Sequence, residues 1–200
     1  MSVLERLHQR HGAGRRIRVL SHHLSEILPE RATVLDVGAG DGSVAHAIMK
    51  RRPDVHVRGI DVLVRPGALI PVEQFDGLHI PYEDRTFDAV MLVDVLHHTT
   101  EPIDLLREAA RVARTAVIIK DHLADAVFAV ATLRFMDRVG NARFGVALPY
   151  HYLRRAEWHR AFDETGLSVE LWRERLHLYP RFASAILDRS LHVIVRLRPR

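Results

Sequence analysis

Residues 34–43 read Val-Leu-Asp-Val-Gly-Ala-Gly-Asp-Gly-Ser, and this stretch decides the fold. The apolar run Thr33–Val37 predicts a buried strand, and Ser43–Arg51 predicts a helix that begins with an N-cap serine and stops before Pro53. Three glycines at alternate positions lie between the two elements. Glycine allows the sharp turn from strand to helix and lets a ligand approach main-chain N–H groups. The stretch therefore predicts a loop that binds a nucleotide-like ligand.

The glycine spacing is G-x-G-x-G, which separates this loop from two familiar nucleotide motifs. In the dinucleotide pattern G-x-G-x-x-G the third glycine would fall on Ser43. The Walker A pattern fails because no Gly-Lys-Ser/Thr follows. A tight strand-to-helix turn that binds nothing is the alternative interpretation of the loop.

The chain on either side of the loop alternates between apolar runs and helical patterns. The other predicted elements of this part are strands at Val55–Asp61, Leu69–Gln74, Phe87–Val93 and Ala116–Lys120 and helices at Arg15–Leu28 and Pro102–Ala113. Apolar runs without clean alternation indicate strands that are covered on both faces, as in a parallel sheet. The pattern predicts a doubly wound α/β sheet.

The last third of the chain has a different pattern. Arg154–Thr165 predicts a helix closed by Gly166, and the alternating segments Leu167–Arg175 and Leu191–Leu197 predict an antiparallel pair of strands. More than thirty residues separate Lys120 from that helix. Because this is far longer than an ordinary connection, we expect a lid or substrate-binding insertion that includes an apolar helix at 123–139.

Composition narrows the function further. The chain has 200 residues, of which 48% are hydrophobic and 27% charged, as in a globular protein. The absence of cysteine excludes disulfides and thiolate nucleophiles. The net charge of +4 comes almost entirely from arginines that are interleaved with acids, which favours a solvated surface over stable nucleic-acid binding. With no signal peptide or apolar run of roughly 20 residues, we expect a cytoplasmic protein.

Asp61 lies at a position suited to bind the ligand of the glycine loop. Asp61 ends the second predicted strand, about twenty residues beyond the glycines, where an acid faces the ribose in doubly wound sheets. A carboxylate there accepts hydrogen bonds from both ribose hydroxyls and repels a phosphate. Asp61 therefore predicts a ligand with an unphosphorylated ribose.

At these residues the chain resembles a known family. Residues 34–42 resemble the first motif of class I S-adenosylmethionine-dependent methyltransferases, and Ile60-Asp61 resemble the second. The matches to the ubiquinone/menaquinone-biosynthesis-type subgroup are 75–88, Val95-Leu96-His97-His98, Trp158, Phe162 and Gly166-Leu167. The resemblance covers roughly residues 33–166. It implies a Rossmann-like, seven-stranded, mostly parallel sheet with an antiparallel C-terminal strand pair and a helical lid insertion after strand 5.

The resemblance also implies the cofactor, S-adenosylmethionine, and the residues that bind it. These are Asp36, Gly38, Gly40, Gly42, Asp61, Val62, Asp76, Gly77 and Asp94. Asp36 would support the methionine ammonium, Asp61 the ribose and Asp76 the adenine amino group. Val62 would pack on the adenine ring, and Asp94 would lie near the transferred methyl, although the subgroup often has another residue at position 94. These acids complement a cationic cofactor.

Candidate catalytic residues follow the fourth and fifth predicted strands. One of His97, His98, Asp121 and His122 could remove a proton from the methyl acceptor, and packing or capping is the alternative for each. No metal site is predicted, because no H-E-x-x-H or 2-His-1-carboxylate spacing appears. Tyr150, Tyr152 and Trp158 are the candidate substrate-lid residues, with a place in the core as the alternative.

The sequence therefore predicts one methyltransferase domain that methylates a small molecule and acts as a monomer or homodimer. Its predicted parts are a leading helix region at 1–32, a cofactor-binding core at 33–120, the insertion at 121–153, and the C-terminal helix and strand pair at 154–200. The alternatives are a methyltransferase acting on protein or RNA and a non-catalytic S-adenosylmethionine-binding regulator. Contact of the apolar insertion helix with a membrane surface is a less favoured expectation. Oxygen, nitrogen, sulfur and carbon all stay open as the acceptor atom.

Overall fold

The predicted sheet has seven strands in a computed structural model that describes residues 3–141, 151–179 and 190–200. The strands are β1 Thr33–Val37, β2 His56–Asp61, β3 Val72–Gln74, β4 Phe87–Val93, β5 Ala113–His122, β6 Leu167–Arg173 and β7 His192–Pro199. Their order across the sheet is β3-β2-β1-β4-β5-β7-β6. All pairs from β3 to β5 are parallel, and β7 runs antiparallel to both of its neighbours. The predicted fold class is confirmed.

Successive apolar side chains of the central strand β1 point to opposite faces of the sheet, which explains why helices cover both faces. Leu35 and Val37 of β1 pack into one buried cluster, and Val34 packs into another on the opposite face. Successive side chains of a strand point to opposite faces, so apolar residues in a row require helices on both sides.

Five α-helices and a short 3₁₀ helix complete the described part of the chain. They are α1 Val3–Ile27, α2 Ser43–Arg51, the 3₁₀ helix Leu96–His98, α3 Pro102–Val112, α4 Ala129–Asn141 and α5 Arg155–Glu164. The apolar faces of α1 and α2 cover one side of the sheet, and those of α3 and α5 cover the other. None of the described helices is long and apolar enough to cross a membrane.

Three local predictions need correction. The leading helix begins at Val3 and not at Arg15, since no proline interrupts residues 3–14. Ser43 is the first residue of α2 and not its N-cap: Gly42 holds that position with φ +72°, and the Ser43 N–H donates to Asp41 Oδ1 at 3.0 Å. The insertion helix begins at Ala129 and not at Leu123, because β5 continues to His122 and the Leu123 N–H is bonded to the Leu191 carbonyl at 3.0 Å.

The parallel strands bring their carboxyl ends to one edge of the sheet. The glycine loop follows β1, Asp61 ends β2, Asp94 follows β4, and the Lys120-Asp121-His122 run ends β5. Ligands of open α/β sheets bind in the crevice at this edge. The fold therefore places most of the predicted site residues along the carboxyl edge of the sheet.

Candidate active site

A pocket of about 900 Å³ lies along the carboxyl edge of the sheet. Its glycine side is formed by Gly38, Gly40, Asp61, Val62, Asp76 and Gly77. Its histidine side is formed by Asp94, His97, Lys120, His122 and His192. Drug-sized ligands occupy clefts of ~300–1,000 Å³, so the volume admits a nucleoside-sized molecule together with a small second ligand.

The glycine loop is shaped by backbone geometry that only glycine adopts easily. Gly38 has φ +71°, and a Cβ there would lie 2.5 Å from Val95 Cγ2. Gly40 also has a positive φ, and its N–H donates to Asp61 Oδ2 at 2.8 Å. The other oxygen of Asp61 accepts the Leu63 N–H at 2.9 Å. Asp61 therefore fixes the loop and lies in the pocket, and its contact with a ribose stays a prediction. Gly42 does not line the pocket: its Cβ would lie 2.7 Å from Ile70, so it serves the turn.

The far end of the glycine side combines an acid with exposed apolar surface. Asp76 accepts N–H groups from Leu78 at 2.8 Å and His79 at 2.7 Å, and the His79 ring at 2.9 Å. These hydrogen bonds, led by that of the Leu78 amide, lower the pKa of Asp76 to about 2. Val62 lies in the pocket with 55% of its surface exposed, beside Gly77. A flat apolar ring fits against such a surface.

Asp36 is the one predicted cofactor acid that lies beneath the pocket and not in its wall. It lies on β1 with 3% of its surface exposed. Burial, and then the charge of Asp61, raise the pKa of Asp36 to about 8. Most of the Asp36 carboxyl therefore holds its proton at neutral pH, and a cationic ligand above it would favour the ionised form.

Asp94 joins the two sides of the pocket. It lies directly after β4 with φ +58°, a conformation that is uncommon for a residue other than glycine and clusters at functional sites. Its carboxylate is paired with Arg16 from α1 and with Lys120 from β5. Burial would raise the pKa of Asp94, but the charges of Lys120 and Arg16 outweigh it and hold that pKa well below the ordinary value.

Two buried residues on the histidine side form a close pair. His97 Nδ1 donates to Asp121 Oδ1 at 2.6 Å, and both side chains are at most 2% exposed. Asp121 also accepts the Leu96 N–H at 3.1 Å and the His122 N–H at 2.7 Å. The 3₁₀ helix after β4 thus presents His97 to the end of β5. Asp121 itself does not line the pocket, whereas His97 does.

His98 also lines the pocket, next to the paired histidine. The rings of His97 and His98 are 3.9 Å apart between centroids. The carboxylate at the end of β5 is bonded to His97 and not to His98.

A second histidine pair lies behind Lys120. His122 Nδ1 is 3.2 Å from His192 Nδ1, and Lys120 Nζ is 3.5 Å from the same His192 atom. Burial, followed by the charge of Lys120, lowers the pKa of His122 well below its ordinary value. Burial also lowers the pKa of Lys120, against the attraction of Asp94.

The predicted lid residues lie behind the pocket or outside the described residues. Tyr152 contacts the rings of His97 and His122, with centroids 5.8 and 5.7 Å away. Trp158 is 2% exposed in the core, and its Nε1–H donates to the His122 carbonyl at 3.1 Å. Both support the histidine side from behind, and neither lines the pocket. Tyr150 lies outside the described residues.

Sequence reasoning missed three residues of the histidine side. Arg16 comes from the leading helix and His192 from the last strand, so no local pattern links either to the pocket. Lys120 could have been found from the sequence, because it is one of only two lysines and directly follows a buried apolar run. A charge at that position predicts a functional role.

Among the residues that the structure describes, one group could hold a metal ion: His97, Asp121 and His122, with ligand atoms within 4.8 Å of one another. The expectation of no metal site stays a prediction. The His97–Asp121 hydrogen bond and the neighbouring charge of Lys120 both oppose a cation at this group.

S-adenosylmethionine fits the glycine side. The close approach of backbone at Gly38, the exposed apolar face of Val62 and the pocket carboxylates of Asp61 and Asp76 suit a cationic nucleoside. The charge environment of Asp36 also favours a positive ligand above it.

Comparison with known proteins identifies the family of the chain. The family model of a methyltransferase domain matches residues 7–171. The 27-O-demethylrifamycin SV methyltransferase of Amycolatopsis mediterranei is 32% identical over 110 residues, which cover 48% of this chain and 40% of the relative. A tRNA (carboxymethyluridine(34)-5-O)-methyltransferase of Schizosaccharomyces pombe is 30% identical over 94 residues, 45% of this chain and 40% of the relative. The chain matches less than half the length of these curated relatives.

A solved structure matches nearly the whole chain. It belongs to the complex between the Haloferax volcanii Trm112 methyltransferase activator and a methyltransferase. The match has a TM-score of 0.74 at 17% identity and covers 96% of this chain and 94% of the other. At that identity the similarity shows the fold. The family match decides the assignment: the chain belongs to the methyltransferase-domain family of S-adenosylmethionine-dependent enzymes.

Proposed function

We propose that this chain methylates a hydroxyl group of a small molecule, with S-adenosylmethionine as methyl donor. The observation that carries the proposal is the buried His97–Asp121 pair, of which His97 lines the pocket. An alcohol is a poor nucleophile until a base takes its proton, and an imidazole held by a carboxylate is suited to that task.

His97 is the proposed base. Because Asp121 holds Nδ1, the exchange of a proton with the acceptor takes place at Nε2. Asp121 fixes the ring and stabilises the imidazolium that forms, so it is a positioning residue. When bound, S-adenosylmethionine supplies a methyl group on a positively charged sulfur, so that the attacking oxygen displaces a neutral thioether.

The cofactor-binding roles on the glycine side are part of the same proposal. Asp61 accepts hydrogen bonds from the ribose, Val62 packs on the adenine, and Asp76 with Gly77 lies at its polar edge. Asp94 holds the positions of Arg16 and Lys120 where the two ligands meet. Asp36 responds to the positive charge of the cofactor from beneath the pocket.

A small acceptor is favoured over RNA or protein by the surface charges. Many of the described arginines are paired with acids, for example Arg52 with Asp54 and Arg114 with Asp88. Paired arginines leave little positive charge for phosphates. One relative is named as a tRNA methyltransferase, so the test below also includes RNA as an acceptor.

The test is to incubate the protein with methyl-labelled cofactor and, separately, a metabolite extract, total RNA and a protein extract. We expect label in a small O-methylated product, and the Asp61→Ala variant is the control for dependence on the pocket. Label in RNA or protein alone, or on a nitrogen, sulfur or carbon atom, would contradict the proposal.

A further inference from the structure

The proposed mechanism uses His97 and Asp121 but leaves the second histidine pair without a task. His122 and His192 are 5% and 3% exposed, and both line the pocket. Burying two imidazoles beside a lysine costs free energy unless their polar atoms are satisfied. Their mutual geometry therefore constrains what His122 presents to the pocket.

The donors and acceptors of this cluster can be assigned from its distances. Lys120 is a donor only, so the His192 Nδ1 atom 3.5 Å away acts as an acceptor. His122 Nδ1 is 3.2 Å from that same atom and must then carry the proton that it donates. The opposite assignment would aim an N–H of His192 at the lysine ammonium.

The assigned tautomer makes His122 Nε2 a hydrogen-bond acceptor. This atom lies 3.8 Å from Oδ1 of Asp94, which also lines the pocket. Burial and Lys120 lower the pKa of His122 well below its ordinary value, so the ring stays neutral. His97 differs because its partner is a carboxylate, which stabilises the protonated ring. The two histidines are therefore suited to different tasks.

The two rings are neighbours, with centroids 4.5 Å apart. We propose that His122 binds a second hydroxyl of the acceptor, adjacent to the one that His97 deprotonates, so that the substrates are vicinal diols. This inference rests on the proposed function, because it needs a hydroxyl at His97. Lys120 and His192 act as positioning residues that keep the proton on His122 Nδ1.

The first test is the structure of the labelled product. We expect a methyl ether with an intact hydroxyl on the adjacent carbon. An O-methylated product without that hydroxyl overturns this inference and leaves the proposed function standing, whereas label in RNA or protein alone contradicts the proposed function itself. Loss of activity with a chelator, restored by Mg²⁺, also overturns the inference, because the histidines would then be metal ligands.

The second test compares the identified diol with its analogue that lacks the second hydroxyl. The His122→Asn variant keeps an amide near Nδ1 and removes Nε2, so kcat/KM for the diol should fall about 10-fold. His122→Gln, which returns an amide near Nε2, should recover part of the loss. Both variants should lower kcat/KM for the analogue clearly less than for the diol, and the exposed His159→Asn is the control. Equal losses with both acceptors would overturn the inference.

The third test needs no substrate. Nitrogen-15 NMR of the imidazoles in the free protein should show His122 neutral at pH 7 with its proton on Nδ1. A proton on Nε2 would contradict the assignment, because Nε2 could then no longer accept a hydrogen bond.

Discussion

The two sides of the pocket are built differently. On the glycine side, carboxylates hold backbone amides that are mostly close in sequence: Asp61 binds Leu63, and Asp76 binds Leu78 and His79. On the histidine side, side chains bind side chains that are distant in sequence, as in the His97–Asp121 and His122–His192 pairs. The first side is shaped by local turns and the second by the tertiary fold. Substitutions on the two sides should therefore have separable effects.

The largest expected effect lies on the histidine side. His97→Asn should lower kcat by roughly 10²–10⁴-fold, the usual contribution of a general base, because the variant removes the imidazole that takes the proton. Cofactor affinity, measured by calorimetry, should stay within about twofold of the wild type. A loss of cofactor affinity as large as the loss of rate would show that the two sides are not separable.

Asp121→Asn tests whether the carboxylate orients the same base. It removes the charge but keeps the shape, so kcat should fall while the protein stays folded by circular dichroism. The pH profile of kcat should shift to lower pH, because the imidazolium loses its stabilising partner. An unchanged profile would assign Asp121 to structure alone.

The second-largest expected effect is a change in stability at Asp36, beneath the glycine side. Its pKa is raised to about 8, above the unfolded value of 3.8, so the folded state holds the proton more tightly. The resulting stability is fully present below about pH 4 and is lost as pH rises towards 8. Asp36→Asn should remove this dependence and stabilise the protein at pH 8 by up to about 5 kcal/mol.

Urea unfolding at several pH values measures the difference between Asp36→Asn and the wild type. Cofactor binding should also release a proton in the wild type at pH 7, because the positive ligand lowers the pKa of Asp36. Calorimetry in buffers of different ionisation enthalpy detects this release, and its persistence in Asp36→Asn would assign the proton to another group.

The contrast between the two sides also explains what the sequence could predict. The glycine loop and Asp61 obey a local pattern, and β1 and β4 were predicted with their observed bounds. The chain carries no such pattern for Arg16 and Asp94, which are 78 residues apart. Only the packing of α1 against the sheet brings them together. The sequence also could not show which of His97 and His98 pairs with Asp121. That depends on how the 3₁₀ helix is oriented against the end of β5, which residue spacing does not determine.

The third effect is a change of affinity on the glycine side. Asp61→Ala should weaken the binding of S-adenosylhomocysteine about 10- to 100-fold, because two hydrogen bonds of a charged group to the ribose are lost and the Gly40 amide loses its partner. With saturating cofactor the kcat should recover most of its wild-type value. Affinity equal to that of the wild type in calorimetry would remove the ribose assignment. The exposed Asp104→Ala is the matched control.

The smallest effect lies behind the histidine side. Trp158→Phe keeps an aromatic ring against Phe162 but removes the hydrogen bond from Nε1 to the His122 carbonyl. The free energy of unfolding should fall by about 1 kcal/mol, the usual net value of one hydrogen bond, while cofactor affinity stays unchanged. If Trp158 only fills the core, kcat should also be unchanged. A drop in kcat without a drop in cofactor affinity would show instead that this hydrogen bond positions the end of β5 for catalysis. The residues that matter for catalysis on the histidine side would then include one that does not line the pocket.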